Sequence, residues 1–349
     1  MKRRNTKQIK VGSVRVGGNA PISVQSMTNT DTRDVAATIK QIEKLAAGGC
    51  EIVRVAVPDD QAAIALAEIK RQISIPLIAD IHFSHQLALA AVKAGVDGLR
   101  INPGNIGNNQ KVTEVVAAAK DSGIPIRIGV NAGSLKKDLL EKHGGVTAAA
   151  MVESALEHIS ILEELDFTDI KVSLKASNIP LMLDAYRLLA QRVAYPFHIG
   201  VTEAGTVSSG TVKSAVGIGI LLSEGIGDTI RVSLTGDPCH EVKVAYQILQ
   251  SLGLRQHGVE IISCPTCGRT QIDLIKLAEQ VDNKLQGLNK PIKVAVMGCA
   301  VNGPGEAREA DVGIAGGKGV GLIFRKGEII RQVPEDRLLE ELMLEIDKL

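Results

Sequence analysis

The sequence predicts a (β/α)8 TIM-like barrel followed by a small α+β domain, and three observations carry the barrel. Eight short apolar, β-branched runs alternate with Ala/Leu/Glu/Lys-rich helical segments over residues 20–250, about the span that such a barrel needs. Several of the helical segments close on Gly just before the next run, as helix C-termini do. Aromatic residues are only 2% of the 349 residues while 45% are hydrophobic, so the interior is Val, Ile, Leu and Ala, the mixture of buried parallel strands and their covering helices. An open doubly wound sheet would share the alternation; eight evenly spaced units favour closure.

Taken in order, KQIKVGSVRVGG (7–18) reads as a hairpin ahead of the first strand, placed to plug the barrel bottom. The strands are ISVQSM (22–27), EIVRVAV (51–57), PLIADI (76–81), GLRINP (98–103), PIRIGVN (125–131), DIKVSLKA (169–176), PFHIGVTEA (196–204) and TIRVSLTG (229–236). The connection 131–168 is longer than the others and holds an extra loop, NAGSLKKDLLEKHGG, before its helix. The barrel takes residues 1–258, with GLRQHG as linker, and the second domain takes 259–349. In that domain a helix over 270–285 follows a Cys-x-x-Cys pair, and then comes a strand, KVAVMG (293–298). A Gly-rich stretch (302–305) leads to VGIAGG and GLIFRKGEIIRQV, antiparallel strands with a Lys-Gly turn. EDRLLEELMLEIDKL is a terminal helix with Pro334 just before it.

Composition excludes several classes. A net charge of +1 gives no bulk attraction to nucleic acid. No run of 18 apolar residues exists, so no membrane span is expected. The basic start lacks an apolar stretch behind it and is not a signal peptide. Five cysteines, an odd number without an export signal, argue against a disulfide framework. The expected location is the reducing cytoplasm.

Five strands share an apolar–basic–apolar pattern: Arg54, Arg100, Arg127, Lys171 and Arg231. A cation among buried β-branched residues is costly unless it is paired or reaches a solvated site. One could be a structural salt bridge, but five at matching places point to a site. Side chains two apart share a strand face. Arg100 then aligns with Asn102, Arg127 through Gly129 with Asn131, Lys171 with Ser173 and Lys175, and Arg231 with Ser233 and Thr235. Asp80 aligns with His82, and His198 through Gly200 with Thr202. The polar faces point into the barrel and its C-terminal mouth, where barrel enzymes keep their active sites. Such a lining wants a multiply charged oxyanion, phosphate or diphosphate, which Arg meets with paired donors. Few carboxylates accompany it. Glu203, Asp80 and Asp237 are the options, as proton carriers or as salt-bridge partners.

Cys264 and Cys267 (SCPTCGRT) and Cys299 (VMGCAVNGPGEA) place three thiols in the second domain. Cys50 and Cys239 read as core residues. A structural zinc wants four ligands, often two Cys-x-x-Cys pairs, and Cys299 has no partner at three residues' distance. Three thiolates also fit an iron–sulfur cluster whose unique iron is held differently, with Glu306 as a replaceable oxygen ligand. A zinc module on a phosphate-ligand-binding barrel stays the rival. A radical-SAM site is disfavoured, because no Cys-x-x-x-Cys-x-x-Cys run exists.

These motifs, with QSMTNTDTRD (25–34), CEIVRVAVP (50–58), IADIHF (78–83), LRINPGN (99–105), IRIGVNAGS (126–134), HIGVTEAG (198–205) and SLTGDP (233–238), resemble the 4-hydroxy-3-methylbut-2-enyl diphosphate synthases of the methylerythritol phosphate isoprenoid pathway over essentially the whole chain. The resemblance implies an oxidoreductase that opens the ring of 2-C-methyl-D-erythritol 2,4-cyclodiphosphate by two-electron reduction with loss of water. It implies a [4Fe–4S] cluster on Cys264, Cys267, Cys299 and Glu306, fed by flavodoxin or ferredoxin. It implies Glu203 as the essential acid and Arg54, His82, Arg100, Arg127, Asn131, Lys171, Arg231 and Ser233 as diphosphate-binding positions, with Thr202, Asn302 and Arg269 in matching motifs. It also implies a head-to-tail homodimer in which one chain's cluster faces the other chain's barrel.

Overall fold

The computed structural model describes residues 2–285, 287–299, 305 and 307–349, and the chain divides into two compact units, Met1–Arg255 and Gln256–Leu349. Glu306 and Asn302 lie outside the described residues.

The first unit opens with an antiparallel hairpin, β1 (Ile9–Val11) and β2 (Val14–Val16), turned at Gly12. The barrel strands follow: β3 (Ser23–Met27), β4 (Ile52–Ala56), β5 (Leu77–Asp80), β6 (Gly98–Ile101), β7 (Ile126–Asn131), β8 (Ile170–Lys175), β9 (His198–Ile199) and β10 (Thr229–Ile230). Among the described residues these eight form one parallel sheet in the order β8-β7-β6-β5-β4-β3-β10-β9. A parallel bridge between Val172 and Phe197 joins its two ends and closes the barrel. All eight expected strands are present. The last two are shorter than the apolar runs around them. A Cβ at Gly200 would collide with the carbonyl of Arg231, so the ladder there gives way to close backbone contact.

The helices sit where apolar periodicity places them, and several begin on a side-chain cap. Asp34, Asp59, Ser84 and Thr147 each accept a hydrogen bond from the backbone N–H three residues on, which satisfies one of the open donors of the first turn. The long connection after β7 contains a 3-10 turn, Ala132–Ser134, and a short helix, Lys137–Lys142. The hairpin does plug the bottom: Ile9, Val11 and Val16 bury themselves against Ile52 and Ile78, near the starts of β4 and β5.

The second unit has a five-stranded sheet: β11 (Glu260–Ser263), β12 (Lys293–Met297), β13 (Val312–Gly316), β14 (Val320–Arg325) and β15 (Glu328–Pro334). β11, β12 and β13 run parallel, while β14 and β15 are antiparallel around Lys326 and Gly327, both at positive φ. The expected helix begins later than 270, at Leu274–Leu285, and Leu338–Asp347 is the terminal helix. β11 is a strand that sequence reasoning did not assign.

Candidate active site

Register brings the barrel cations into one row. In a parallel pair, laterally paired residues face the same side of the sheet. Asp80 on β5 pairs with Arg100 on β6, Arg100 with Arg127 on β7, and Arg127 with Lys171 on β8. Two pleat repeats higher, Asn131 pairs with Lys175. The row faces inward: Arg54, Arg100, Arg127, Lys171 and Lys175 are all buried, and Arg231 is nearly so. Glycines make the room. A Cβ on Gly129 would lie 2.7 Å from Nε of Arg100, and one on Gly200 would lie 3.2 Å from Nζ of Lys175.

Among the described residues three carboxylates face these six cations, and each is already engaged: Asp228 faces Lys171 but is bonded to Arg3 and to the Phe197 N–H. Asp80 lies 3.4 Å from Nε of Arg54 and 3.2 Å from Nη1 of Arg100. Glu241, on the helix Pro238–Ser251, lies 3.6 Å from Nε of Arg231 and accepts from Ser26 Oγ at 3.0 Å and from the Leu234 N–H at 3.0 Å. Met27 Sδ accepts weakly from Arg54. The supply of acceptors stops there. Nε of Arg100, Nε and Nη1 of Arg127, Nζ of Lys171 and both ring nitrogens of His198 are buried with no hydrogen-bond partner among the described residues. A buried donor left unmade costs roughly 1–3 kcal/mol, so this concentration marks a site whose acceptors come from a ligand.

Electrostatics says the same. Burial, with repulsion from Arg127 and Arg54, pushes the Lys171 ammonium down to about 7. Burial also pushes Lys175 well below its ordinary value, reinforced by Arg231, Arg127, Arg54 and Arg100. His198 is held well below its usual range by burial and the same cations, and is neutral. Arg127 is lowered by burial and by Arg54 and Arg100, and burial takes Arg54 to about 9. Asp80 is lowered despite its burial, because Arg54 and Arg100 hold it ionised. At an effective dielectric of ~20, each like charge ~7 Å away costs roughly 2 kcal/mol. An arriving polyanion relieves a cluster of this kind with all its cations charged.

The mouth carries the other expected residues. His82, two residues past the end of β5, is exposed yet bonds Nη1 of Arg100 at 3.1 Å. Asn131 ends β7, and Ser233 is half-buried beyond β10. Glu203 is exposed, follows the half-buried Thr202, and has φ of +53°. That conformation costs an L-residue about 1–2 kcal/mol, so the turn holds this carboxylate in place against a local preference. Asp237 instead caps the helix that carries Glu241.

Sequence reasoning left two residues out of the set. Lys175 was visible in strand parity. Glu241 sits on a helix, and no strand alternation could reveal it.

In the second unit, Cys264 directly follows β11 and Cys299 lies two residues past β12, at the same ends of neighbouring parallel strands. All three thiols there are free. The Gly298 N–H donates to Cys264 Sγ at 3.2 Å. Cys267 is exposed, and the Arg269 N–H and guanidinium favour its thiolate and lower it. Soft, ionisable sulfur with nearby N–H donors fits a thiolate-bound iron–sulfur group. Among the described residues no three His, Cys, Asp or Glu side chains are close enough to form a ready-made metal cage. Cys50, by contrast, is buried, donates to the Ile52 carbonyl, and is pushed up to about 12, so it is inert. Cys239 is half-buried and also raised.

Comparison with known proteins covers both units. The GcpE TIM-barrel domain family matches residues 6–246, and the GcpE protein C-terminal domain family matches 260–348. A protein of Geobacter sulfurreducens described as 4-hydroxy-3-methylbut-2-en-1-yl diphosphate synthase (flavodoxin) is 65% identical over 99% of this chain and 98% of its own length. Proteins with the same description from Thermodesulfovibrio yellowstonii and Ruminiclostridium cellulolyticum are 63% and 61% identical, each over 100% of this chain and 100% and 99% of their own. The barrel is similar to the crystal structure of dihydropteroate synthase from Stenotrophomonas maltophilia, with a TM-score of 0.52 and 14% identity over 71% of this chain and 98% of that one. That likeness concerns the fold alone.

Proposed function

The chain belongs to the GcpE family, and on that premise we propose that it makes 4-hydroxy-3-methylbut-2-en-1-yl diphosphate by reductive ring opening of 2-C-methyl-D-erythritol 2,4-cyclodiphosphate, with flavodoxin as electron donor. The observation that carries the reading is the barrel interior: among the described residues, six cations against three carboxylates that are already engaged, with buried donors unpartnered. Two phosphoryl groups tied in a small ring match that lining.

In this reading Arg54, Arg100, Arg127, Lys171 and Arg231 grip the phosphoryl oxygens, with His82, Asn131 and Ser233 at the rim. They bear the charge that grows on the phosphate oxygen as its bond to carbon breaks. Thr202 and Arg269 are carried as further substrate contacts, and Asn302 with them. Glu203 gives a proton to the departing hydroxyl, so that water leaves and not hydroxide. Counted on the fully protonated species, two electrons and two protons enter and one water departs. Cys264, Cys267, Cys299 and Glu306 would hold a [4Fe–4S] cluster, which supplies the electrons one at a time when bound.

The test is an anaerobic assay with the cyclic diphosphate and reduced flavodoxin, read by mass analysis of the product. Linear allylic diphosphate is expected. A colourless, zinc-loaded protein that binds the ring and leaves it intact would overturn the reading in favour of a binding barrel. We also take the active unit to be a head-to-tail homodimer. Mixing a Cys299→Ser subunit with a Glu203→Gln subunit should then restore activity that neither has alone.

A further inference from the structure

Lys175 is a second buried lysine of the barrel lining. It ends β8 two residues past Ser173 and four past Lys171, on the same inward face. It is buried, and its Nζ lies close to Gly200: a Cβ there would approach it to 3.2 Å, and the Arg231 carbonyl to 2.3 Å.

The charges around the two lysines come from every neighbouring element. Arg127 (β7), Arg100 (β6), Arg54 (β4) and Arg231 (after β10) all face Lys175, and the neutral His198 (β9) lies beside both lysines. Lys171 faces Arg127 and Arg54, with Asp228 as its carboxylate of opposite sign. Asp228 is already bonded to Arg3 and to the Phe197 N–H. Asp80 and Glu241 are likewise engaged, with Arg54, Arg100 and Arg231. Guanidinium holds its proton throughout the physiological range, whereas a crowded ammonium gives its proton up. The repulsion in the ligand-free barrel is therefore relieved at the lysines.

Resting on the proposed substrate, we infer that seating the ring draws protons from solvent onto Lys175 and Lys171, the two lysines of its lining. No bond other than N–H forms. The solvent gives the protons, and the ligand's negative charge holds them. Each phosphorus of the ring is a diester-like acid, ionised at any pH above about 3, so the ligand itself neither takes up nor releases protons near neutrality. Binding is then tighter at lower pH, and the ring enters together with acid equivalents in a site whose reaction consumes them.

The experiment is titration calorimetry on the anaerobic, oxidised holoprotein with the cyclic diphosphate, at pH 8, in buffers of different ionisation enthalpy. Without reductant no turnover occurs. The binding heat should depend on the buffer with a slope of one to two protons taken up, a range set by how far each lysine is deprotonated beforehand. Lys175→Met should lower affinity by ~10-fold or more, the loss of one charge-assisted contact, and reduce the uptake by about one proton. Tight binding by the parent protein with no buffer dependence overturns the inference while leaving the proposed function intact, and it needs no variant. Unchanged affinity and uptake in a folded Lys175→Met protein overturns the part given to Lys175. No binding of the ring at all would sink the proposed function, and this inference with it.

Discussion

The barrel interior and the cysteine-bearing end of the second unit solve the same problem differently. Both gather side chains that would be unfavourable on their own. In the barrel the gathering is done by strand register: Asp80, Arg100, Arg127 and Lys171 are lateral neighbours in one hydrogen-bonded sheet. Their backbone cannot shift without breaking the ladder. In the second unit Cys264 still donates its N–H to the Val296 carbonyl of β12, whereas Cys267 and Cys299 lie on loop beyond the strand ends, and no cage of three ligands is assembled among the described residues. The barrel lining exists before any polyanion arrives. Three thiols so placed would be drawn together by a bound iron–sulfur group, because structural metal binding and local folding are one free energy.

The contrast can be broken or sharpened in four ways. The largest effect expected is from Cys264→Ser. It should remove iron and lower turnover by well over the ~10²-fold typical of an outer-shell change, measured by iron content, absorbance near 400 nm and product formation. Affinity for the cyclic diphosphate should stay within about threefold, since the barrel is built without the thiols; an equal collapse of binding would erase the distinction drawn above. Next, Glu203→Gln should lower kcat by ~10²–10⁴-fold, with iron content and affinity preserved. Turnover at the parent rate would remove its proton role.

Asp80→Asn tests whether the barrel lining is truly held in advance. Leaving Arg54 and Arg100 buried without their carboxylate should cost about 3 kcal/mol of stability, read from urea unfolding. Saturating cyclic diphosphate should recover part of that loss by binding the folded form. The smallest effect is the pH dependence of the ligand-free barrel. Lys171 titrates near 7 when folded and near its ordinary 10.5 when unfolded, so the unfolded chain holds the extra proton between those values. Stability should therefore rise with pH from about 7 to 9, by about 2 kcal/mol for that group. Between about 9 and 10.5 that rise is offset by Cys50, raised from 9.0 to about 12, which keeps a proton in the folded state that the unfolded chain loses; above about 10.5, where Lys171 no longer differs between the two states, stability falls with pH. A flat profile between 7 and 9 would mean the barrel charges are better compensated than the geometry indicates.

Much of this was legible in the residues, for reasons that differ by region. The eight barrel strands follow from short β-branched runs spaced by helices, and period-two alternation is enough to put Arg100, Arg127 and Lys171 on one face. Even the gaps in that alternation carried meaning: Gly129 and Gly200 stand where Arg100 and Lys175 need space. What stayed hidden depends on contacts between distant segments. Glu241 meets Arg231 and Ser26 only because its helix folds back over β3 and β10. β11 was obscured because VEIIS runs straight into the cysteine motif and is too short to show a period. The strain at Glu203 has no signature beyond the Gly two residues later, and it emerges only as a dihedral angle.

The N-terminal hairpin has one more consequence. Because Ile9, Val11 and Val16 stopper the far end, the described barrel is open at its C-terminal mouth. Whatever reaches the buried cations passes the rim where His82 and Glu203 stand, so a product that keeps its diphosphate is expected to compete with the next ring for the same passage.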